Sequence, residues 1–408
     1  MVGPPATLVV RNIGRLVTCD PERGVAPGVV EGAALAARGA LILAVGAERE
    51  VASVPLDADA VVLDAGGGAV VPGFVDAHSH LVWLGERSGE YAARAEGRGY
   101  EEIAAAGGGI RATVAATRAA GLEELVEAAR PRARRMLCSG TTTVEVKSGY
   151  GLDEDAELRQ LGAALALGED PGVPEVVTTY LPLHAAPDGD RRAFVEAVCA
   201  HGVARAAGLA RFVDAFCEHG AYSVEECALL LEAGRRAGLR GKLHAEQRSR
   251  SGGARLAARM GAVSADHLEH ADDGDLRALA AAGVVGVILP GASLVLGGPP
   301  PPGRRLLEAG ARVAVATDCN PGTCYSESMP LMLSLAVALA GLTPAQAVVA
   351  ATAGGAAALG LADRGVLRAG MRCDLAILDT PHWLDLCYHL GANPVRAVVR
   401  AGRVAAGG

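Results

Sequence analysis

Two histidines one residue apart, His78 and His80 in the run VVPGFVDAHSH, are the residues in this chain best placed to do chemistry. On an extended backbone side chains alternate, so His78 and His80 share one face. Two neutral imidazoles so arranged can grip one metal ion. The apolar run before them reads as a short buried strand, which puts the pair at its C-terminal end, where α/β folds place their chemistry. Other polar residues end apolar runs further along: His184 in LPLH, His244 in LHAE, His267 in SADH and Asp318 in VAVATD. Three imidazoles and a carboxylate suit a borderline ion such as Zn2+, with iron also accommodated. Each residue has a plainer alternative. An isolated H-x-H pair can be solvated, His184 after a proline can cap a loop, and Asp318 before CNPGT can form a turn. His270, three residues past its run, reads as a loop residue, and His201, His219, His382 and His389 read as structural.

The elements that must position these residues are legible as two patterns. From about Gly73, apolar runs of four to six residues alternate with amphipathic stretches such as 123–138, 154–167, 190–207 and 224–237. Eight such runs over roughly 250 residues point to a (β/α)8 barrel. An open doubly wound sheet is the alternative, but no G-x-G-x-x-G or P-loop opens a helix. The chain ends read differently. Short β-like runs at 8–10, 15–18, 34–37, 41–46 and 61–64 return at 365–367, 374–378 and 395–404, separated by Gly, Pro and Asp. The expectation is a composite β-sandwich-like module from residues 1–70 plus 365–408, flanking a barrel over residues 71–364.

With 408 residues, half of them hydrophobic, the chain is long enough for such a pair of units. Aromatics are only 3%, so the core must be built from Ala, Val and Leu. A net charge of −8 with no basic stripe argues against nucleic-acid binding. The N-terminus carries no basic region followed by an apolar one, and the longest apolar stretch, 330–342, is too short to span a bilayer. Nine scattered cysteines with no C-x-x-C read as reduced thiols. A cytoplasmic protein with no nucleic-acid or membrane partner is expected.

PGFVDAHSH, LHAE, SADH and ATD together resemble the amidohydrolase superfamily of metal-dependent hydrolases. The resemblance covers nearly the whole chain. HLVWLGERSGEYAAR, GYEEIAAAGGGI, TTTVEVKSGYGLD, LPLHAAP, VDAFCE and ATDCNPGT narrow it to the imidazolonepropionase family. That family hydrolyses the ring amide of 4-imidazolone-5-propanoate to N-formimidoyl-L-glutamate, the third step of histidine degradation.

The resemblance implies one metal ion per subunit, Zn2+ or Fe3+, held by His78, His80, His244 and Asp318, and a homodimer acting on a small molecule. The fourth barrel run, FVDAFCE, offers no Lys to be carbamylated as a bridge, so a mononuclear site is expected. Arg87 matches a substrate-contacting Arg, whose planar fork suits a carboxylate; a surface Arg in an Arg-rich chain is the alternative. Tyr150, Tyr100, His184, Asn320, Gly322 and Thr323 match further substrate-binding positions. Asp318 and His267 are the expected catalytic residues, Asp318 moving the water proton and His267 stabilising an oxyanion. Gln247 stands three residues after His244, where some members carry Glu, and it cannot ionise, so it is assigned to substrate binding. Glu246 points away from that face on a strand. Cys319 and Thr323 depart from the family's usual aromatic and Ser. Two other readings compete: an aminohydrolase acting on a heterocycle or on N-formimidoyl-glutamate, and a non-catalytic scaffold of the same fold.

Overall fold

The structure is a computed structural model that describes residues 4–98, 102, 107–187 and 189–407; Tyr100 lies outside them. The N-terminal part forms β1 (Ala6–Val17), β2 (Val29–Arg38), β3 (Leu41–Ala47), β4 (Leu56–Asp64) and β5 (Ala69–Pro72). The barrel strands follow: β6 (Phe74–Asp76), β7 (Thr141–Lys147), β8 (Glu175–Leu183), β9 (Phe212–Cys217), β10 (Arg240–Ala245), β11 (Ser264–His267), β12 (Val285–Ile288) and β13 (Val313–Val315). The chain ends in β14 (Leu375–Leu378), β15 (Val395–Arg400) and β16 (Arg403–Gly407).

Chain ends build one eight-stranded sheet in the order β16-β15-β14-β5-β1-β2-β3, with β4 on β1. The two ends meet where β5 pairs antiparallel with β14, Val71 opposite Ala376. Leu8, Val10, Ile13 and Leu16 of β1 pack in one core cluster with Leu35, Val70, Leu375, Ile377 and Val399, which ties the two chain ends together. The runs at 8–10 and 15–18 are one strand, not two. They are joined through a bulge at Asn12, which adopts φ 54°, a conformation Asn tolerates better than most residues. Past that bulge β1 leaves β4 and takes up β5, so the sheet forks. The run at 365–367 forms no strand. Gly365 has φ +84°, and a Cβ there would lie 2.7 Å from the Thr352 carbonyl oxygen, so the chain turns tightly against the backbone of a helical stretch.

Strands β6 to β13 pair parallel in sequence order, the (β/α)8 arrangement the alternation predicts. Because β6 and β13 have only three residues each, the residues after them close the ring. Ser79 bridges to Cys319, Asp318 N donates to His78 O at 2.9 Å and His80 N donates to Cys319 O at 3.0 Å. The seam of the barrel is thus made by the backbone of the residues singled out for metal binding. Several helices between strands begin with side-chain caps, among them Asp153 before Glu154–Gly168 and a Ser223/Glu226 capping box before Val224–Arg236. The long β6–β7 connection adds helices Ser88–Ala95 and Ile110–Ala119 and carries Arg87. The apolar stretch at 330–342 packs as helix Met329–Ala338, and no helix among the described residues is long and apolar enough to cross a membrane. All nine cysteines are unpaired.

Candidate active site at the C-terminal mouth of the barrel

Five imidazoles and one carboxylate converge where the strands end. His78 Nε2 and His80 Nε2 lie 3.5 and 3.7 Å from Asp318 Oδ1. His244 Nε2 faces His80 Nε2 at 3.4 Å. Ligand atoms lie within 4.8 Å of one another in three overlapping groups: His78, His80 and Asp318; His78, His244 and His267; and His80, His184 and His244. His78 Nε2 is buried without a hydrogen-bond partner. Burial pulls His78 and His80 well below the usual imidazole pKa, helped by Lys147 for His78 and by His184 for His80. Neutral imidazoles with an orphaned nitrogen beside a carboxylate are the donor set a borderline divalent ion takes, so these residues fit a metal.

Below them lies a charged floor. Side chains two apart on one strand point inward together, and here the inward positions carry Glu145 and Lys147 on β7, Lys242 and His244 on β10, and Ser264 and Asp266 on β11. All are buried. His78 Nδ1 meets Asp266 Oδ2 at 2.7 Å, which fixes its tautomer. His244 Nδ1 lies 3.0 Å from Asp214 Oδ2, outside hydrogen-bond geometry. Lys147 Nζ joins both carboxylates, 2.8 Å from Asp214 and 3.5 Å from Asp266, and reaches Glu145 at 3.0 Å. Lys242 Nζ donates to Glu145 Oε2 at 2.7 Å and to Ala77 O at 2.8 Å. Burial opposes the charge on Lys147, but Asp214, Glu145 and Asp266 outweigh it and hold the ammonium above its ordinary range. Asp214 is held well below its ordinary value, burial being outweighed by Lys147 and His244. This floor went unassigned from sequence, although charged residues at alternate positions of apolar runs were its signal.

Backbone strain marks the strand ends. Glu246, His267, Leu268 and Asp318, just after β10, β11 and β13 or closing them, have φ of 54°, 81°, 73° and 49°. The turn at Glu246 sends its carboxylate outward onto the backbone N–H groups of Ser251, Gly252 and Ala254 and brings Gln247 to the cavity. Burial lowers the pKa of His267, but Glu269, Asp318 and Asp266 outweigh it and the net direction is upward. Asp318 moves up because it is buried, the neighbouring His267 and His244 opposing.

The cluster opens into a cavity of about 490 Å3. Arg87, Tyr150, His184 and Gln247 line it, as do Asn320, Gly322 and Thr323. Arg87 is no loose surface side chain: Glu90 clamps it, Nε to Oε1 at 3.1 Å and Nη2 to Oε2 at 2.8 Å. Glu90 is itself held by the N–H of Gly109, which is how the GGGI loop bears on Arg87. Tyr150 is buried with its ring 5.8 Å from that of His80 and 5.5 Å from that of His184. His184 stacks on His80 at 4.9 Å and hydrogen-bonds through Nδ1 to Gly149 O at 2.9 Å; burial and the nearby His244 bring its pKa down to about 4. Asn320 uses its polar atoms inside its own turn, donating to Asp318 O and accepting from the N–H groups of Gly322 and Thr323. Sequence reasoning missed Arg94, which donates to Gly322 O at 3.0 Å, together with Glu269 and Ser293, and placed His270 in a loop without its cavity face.

A parallel barrel with a His-x-His closing its seam, histidines after the fifth and sixth strands and an Asp after the eighth defines an amidohydrolase. The amidohydrolase family model matches residues 69–405, and the chain belongs to that family. Within it the chain belongs to the imidazolonepropionases: it is 47% identical to the imidazolonepropionase of Anaeromyxobacter sp. (strain K), over 99% of this chain and 97% of that one. It is 48% identical to that of Deinococcus radiodurans, over 94% and 95%. The fold is similar to that of a zinc-bound adenosine deaminase from Xanthomonas campestris, TM-score 0.73 at 20% identity, covering 98% and 93% of the two chains. A triazine hydrolase from Arthrobacter aurescens is similar at TM-score 0.72 and 20% identity, covering 98% and 94%.

Proposed function

We propose that this protein is an imidazolonepropionase: it adds water across the ring amide of 4-imidazolone-5-propanoate and releases N-formimidoyl-L-glutamate. The observation that carries the reading is the near-full-length likeness to imidazolonepropionases, 47% over 99% of the chain. The cavity supports it, since it joins a metal-fitting cluster to a guanidinium held ready for a carboxylate.

His78, His80, His244 and Asp318 would hold one Zn2+ or Fe3+ per subunit. Such an ion, when bound, lowers the pKa of a water and polarises a carbonyl. Arg87 takes the substrate propionate, its Nη1 lying beside Gly322 and outside the Glu90 clamp. Tyr150 and His184 bound the ring, and Gln247 offers it a hydrogen bond. Asn320 shapes the turn that presents Gly322 and Thr323. Asp318 accepts the proton of the attacking water and returns it to the ring nitrogen as the C–N bond breaks. His267 faces the oxygen on which negative charge develops. Tyr100 is a substrate contact on its motif alone. Residues 71–364 form the hydrolase unit and residues 1–70 plus 365–408 its flanking module, in a cytoplasmic homodimer; sedimentation at two chain masses supports the dimer, and one chain mass rejects it. The test of function is loss of ring absorbance on adding imidazolonepropionate, with release of ammonia as the outcome that would assign an aminohydrolase instead.

A further inference from the structure

Among the described residues lining the cavity, two are carboxylates, Asp318 and Glu269, and Glu269 has no assigned task. It follows β11 by two residues and is buried. Its Oε1 accepts a hydrogen bond from Ser293 Oγ at 2.7 Å. Its Oε2 has no partner. A buried carboxylate oxygen without a protein donor is costly, and one in a residue that lines a cavity is positioned to take a donor there. The group facing it is His267 Nδ1, 3.9 Å away and also buried without a partner. The two atoms are complementary, one able to carry a proton and the other only to accept one. A shift of about 1 Å brings them to ordinary hydrogen-bond distance. The backbone on either side is fixed, His267 and Leu268 being in the left-handed region and His270 N bonded to Glu246 O at 2.8 Å, so the shift falls to the side chains.

We propose that Glu269 is a positioning residue: anchored by Ser293, its carboxylate takes the Nδ1 proton of His267 as a hydrogen bond and so presents Nε2 to the reacting carbonyl. The proposal rests on the reading that His267 faces the developing oxyanion. An imidazole without a partner at Nδ1 is free to flip and to exchange which nitrogen carries the proton. A carboxylate at that position removes both freedoms, as a partner to Nδ1 does for other histidines that work through Nε2. With Gln247 unable to ionise, Glu269 is the second carboxylate that this cavity has to use.

The test compares Glu269→Leu, which removes the acceptor, with Glu269→Gln, which keeps an acceptor oxygen and a partner for Ser293. Ring 15N NMR of the metal-free protein, with His267 assigned through His267→Asn, reads the tautomer without reference to activity. Protonated Nδ1 is expected in the wild type and in Glu269→Gln, and its loss in Glu269→Leu. In the metal-loaded enzyme kcat should fall about 100-fold in Glu269→Leu and less than about 10-fold in Glu269→Gln, with KM and metal content held. Unchanged His267 resonances in Glu269→Leu overturn the proposal. Resonances that shift while kcat holds support the positioning and instead refute the oxyanion role of His267. Should Glu269→Leu fail to fold, Ser293→Ala must shift the same resonances, and no shift there overturns the proposal.

Discussion

Replacing Gly322 by Ala should weaken substrate binding while sparing both the fold and the chemical step. A Cβ at Gly322 would stand 2.6 Å from Arg87 Nη1, 3.2 Å from Cζ and 3.4 Å from Nη2. Ordinary non-bonded contact is about 3.5 Å or more, so the guanidinium must retreat by about 1 Å. Glu90 restrains that retreat by holding Nε and Nη2, so the displacement appears at Nη1, the edge left for the substrate carboxylate. Gly322 does not sit in the left-handed region, so Ala adds no backbone strain. A hydrogen bond to a charged group is worth roughly 1.5–3 kcal/mol, which corresponds to a rise in KM of about 10- to 150-fold. If the propionate is held equally in ground and transition states, kcat changes by less than about threefold. Steady-state kinetics on imidazolonepropionate, with a melting curve to verify the fold, reads all of this. A KM that stays at the wild-type value, or a kcat that falls while KM holds, would refute Arg87 as the propionate clamp.

Asp266→Asn disturbs the Nδ1 partner of His78, 2.7 Å away, and should weaken metal binding about 10- to 100-fold in chelator competition. Lys147→Met leaves buried Asp214 without its ammonium, and Glu145 and Asp266 with Lys242 alone, and should cost about 3–5 kcal/mol in urea unfolding. In the metal-free protein His78, His80 and His184 each contribute stability that is lost as pH drops from about 6.5 towards 4, whereas the buried carboxyls of Asp76, Glu157 and Asp318, pushed up by burial, contribute in the opposite direction. The unfolded chain takes up protons on its histidines there, whereas the folded chain refuses them at His78, His80 and His184, the last with a pKa of about 4, so the contribution of these three is full above 6.5. His184→Gln should remove its share, so that the stability difference between wild type and variant shrinks as pH falls from 6.5 towards 4; a difference that does not change with pH would count against the burial account of His184.

The barrel was legible because its strands are apolar runs whose ends carry the polar residues: His80, His184, His244, His267 and Asp318 each close a run, and position along a strand decides which end a residue occupies. The charged floor was not, because its partners lie far apart in the chain. Lys147 meets Asp214 across 67 residues, and His78 meets Asp266 across 188. Only closure of the ring brings them together. Glu90 was readable as a neighbour of Arg87 at i+3, but its second bond, to Gly109, depends on how the β6–β7 connection folds back. Glu269 sits in a polar stretch where one carboxylate looks like the next, and its role emerges only from an oxygen left without a donor. At the module, Asn12 was a visible cue for a bulge inside one strand, whereas the tight crossing at Gly365 depends on helical backbone contributed by residues 352 and 353.

The proposed function requires one metal ion, held by His78, His80, His244 and Asp318, for hydrolysis of the imidazolone ring. Metal-stripped protein titrated with Zn2+, assayed for loss of ring absorbance at each addition, tests it directly. Activity should be absent at zero metal and rise linearly to a plateau at one ion per chain, with His244→Ala reaching no plateau. Full activity in the stripped protein, or a plateau at two ions per chain, would contradict it.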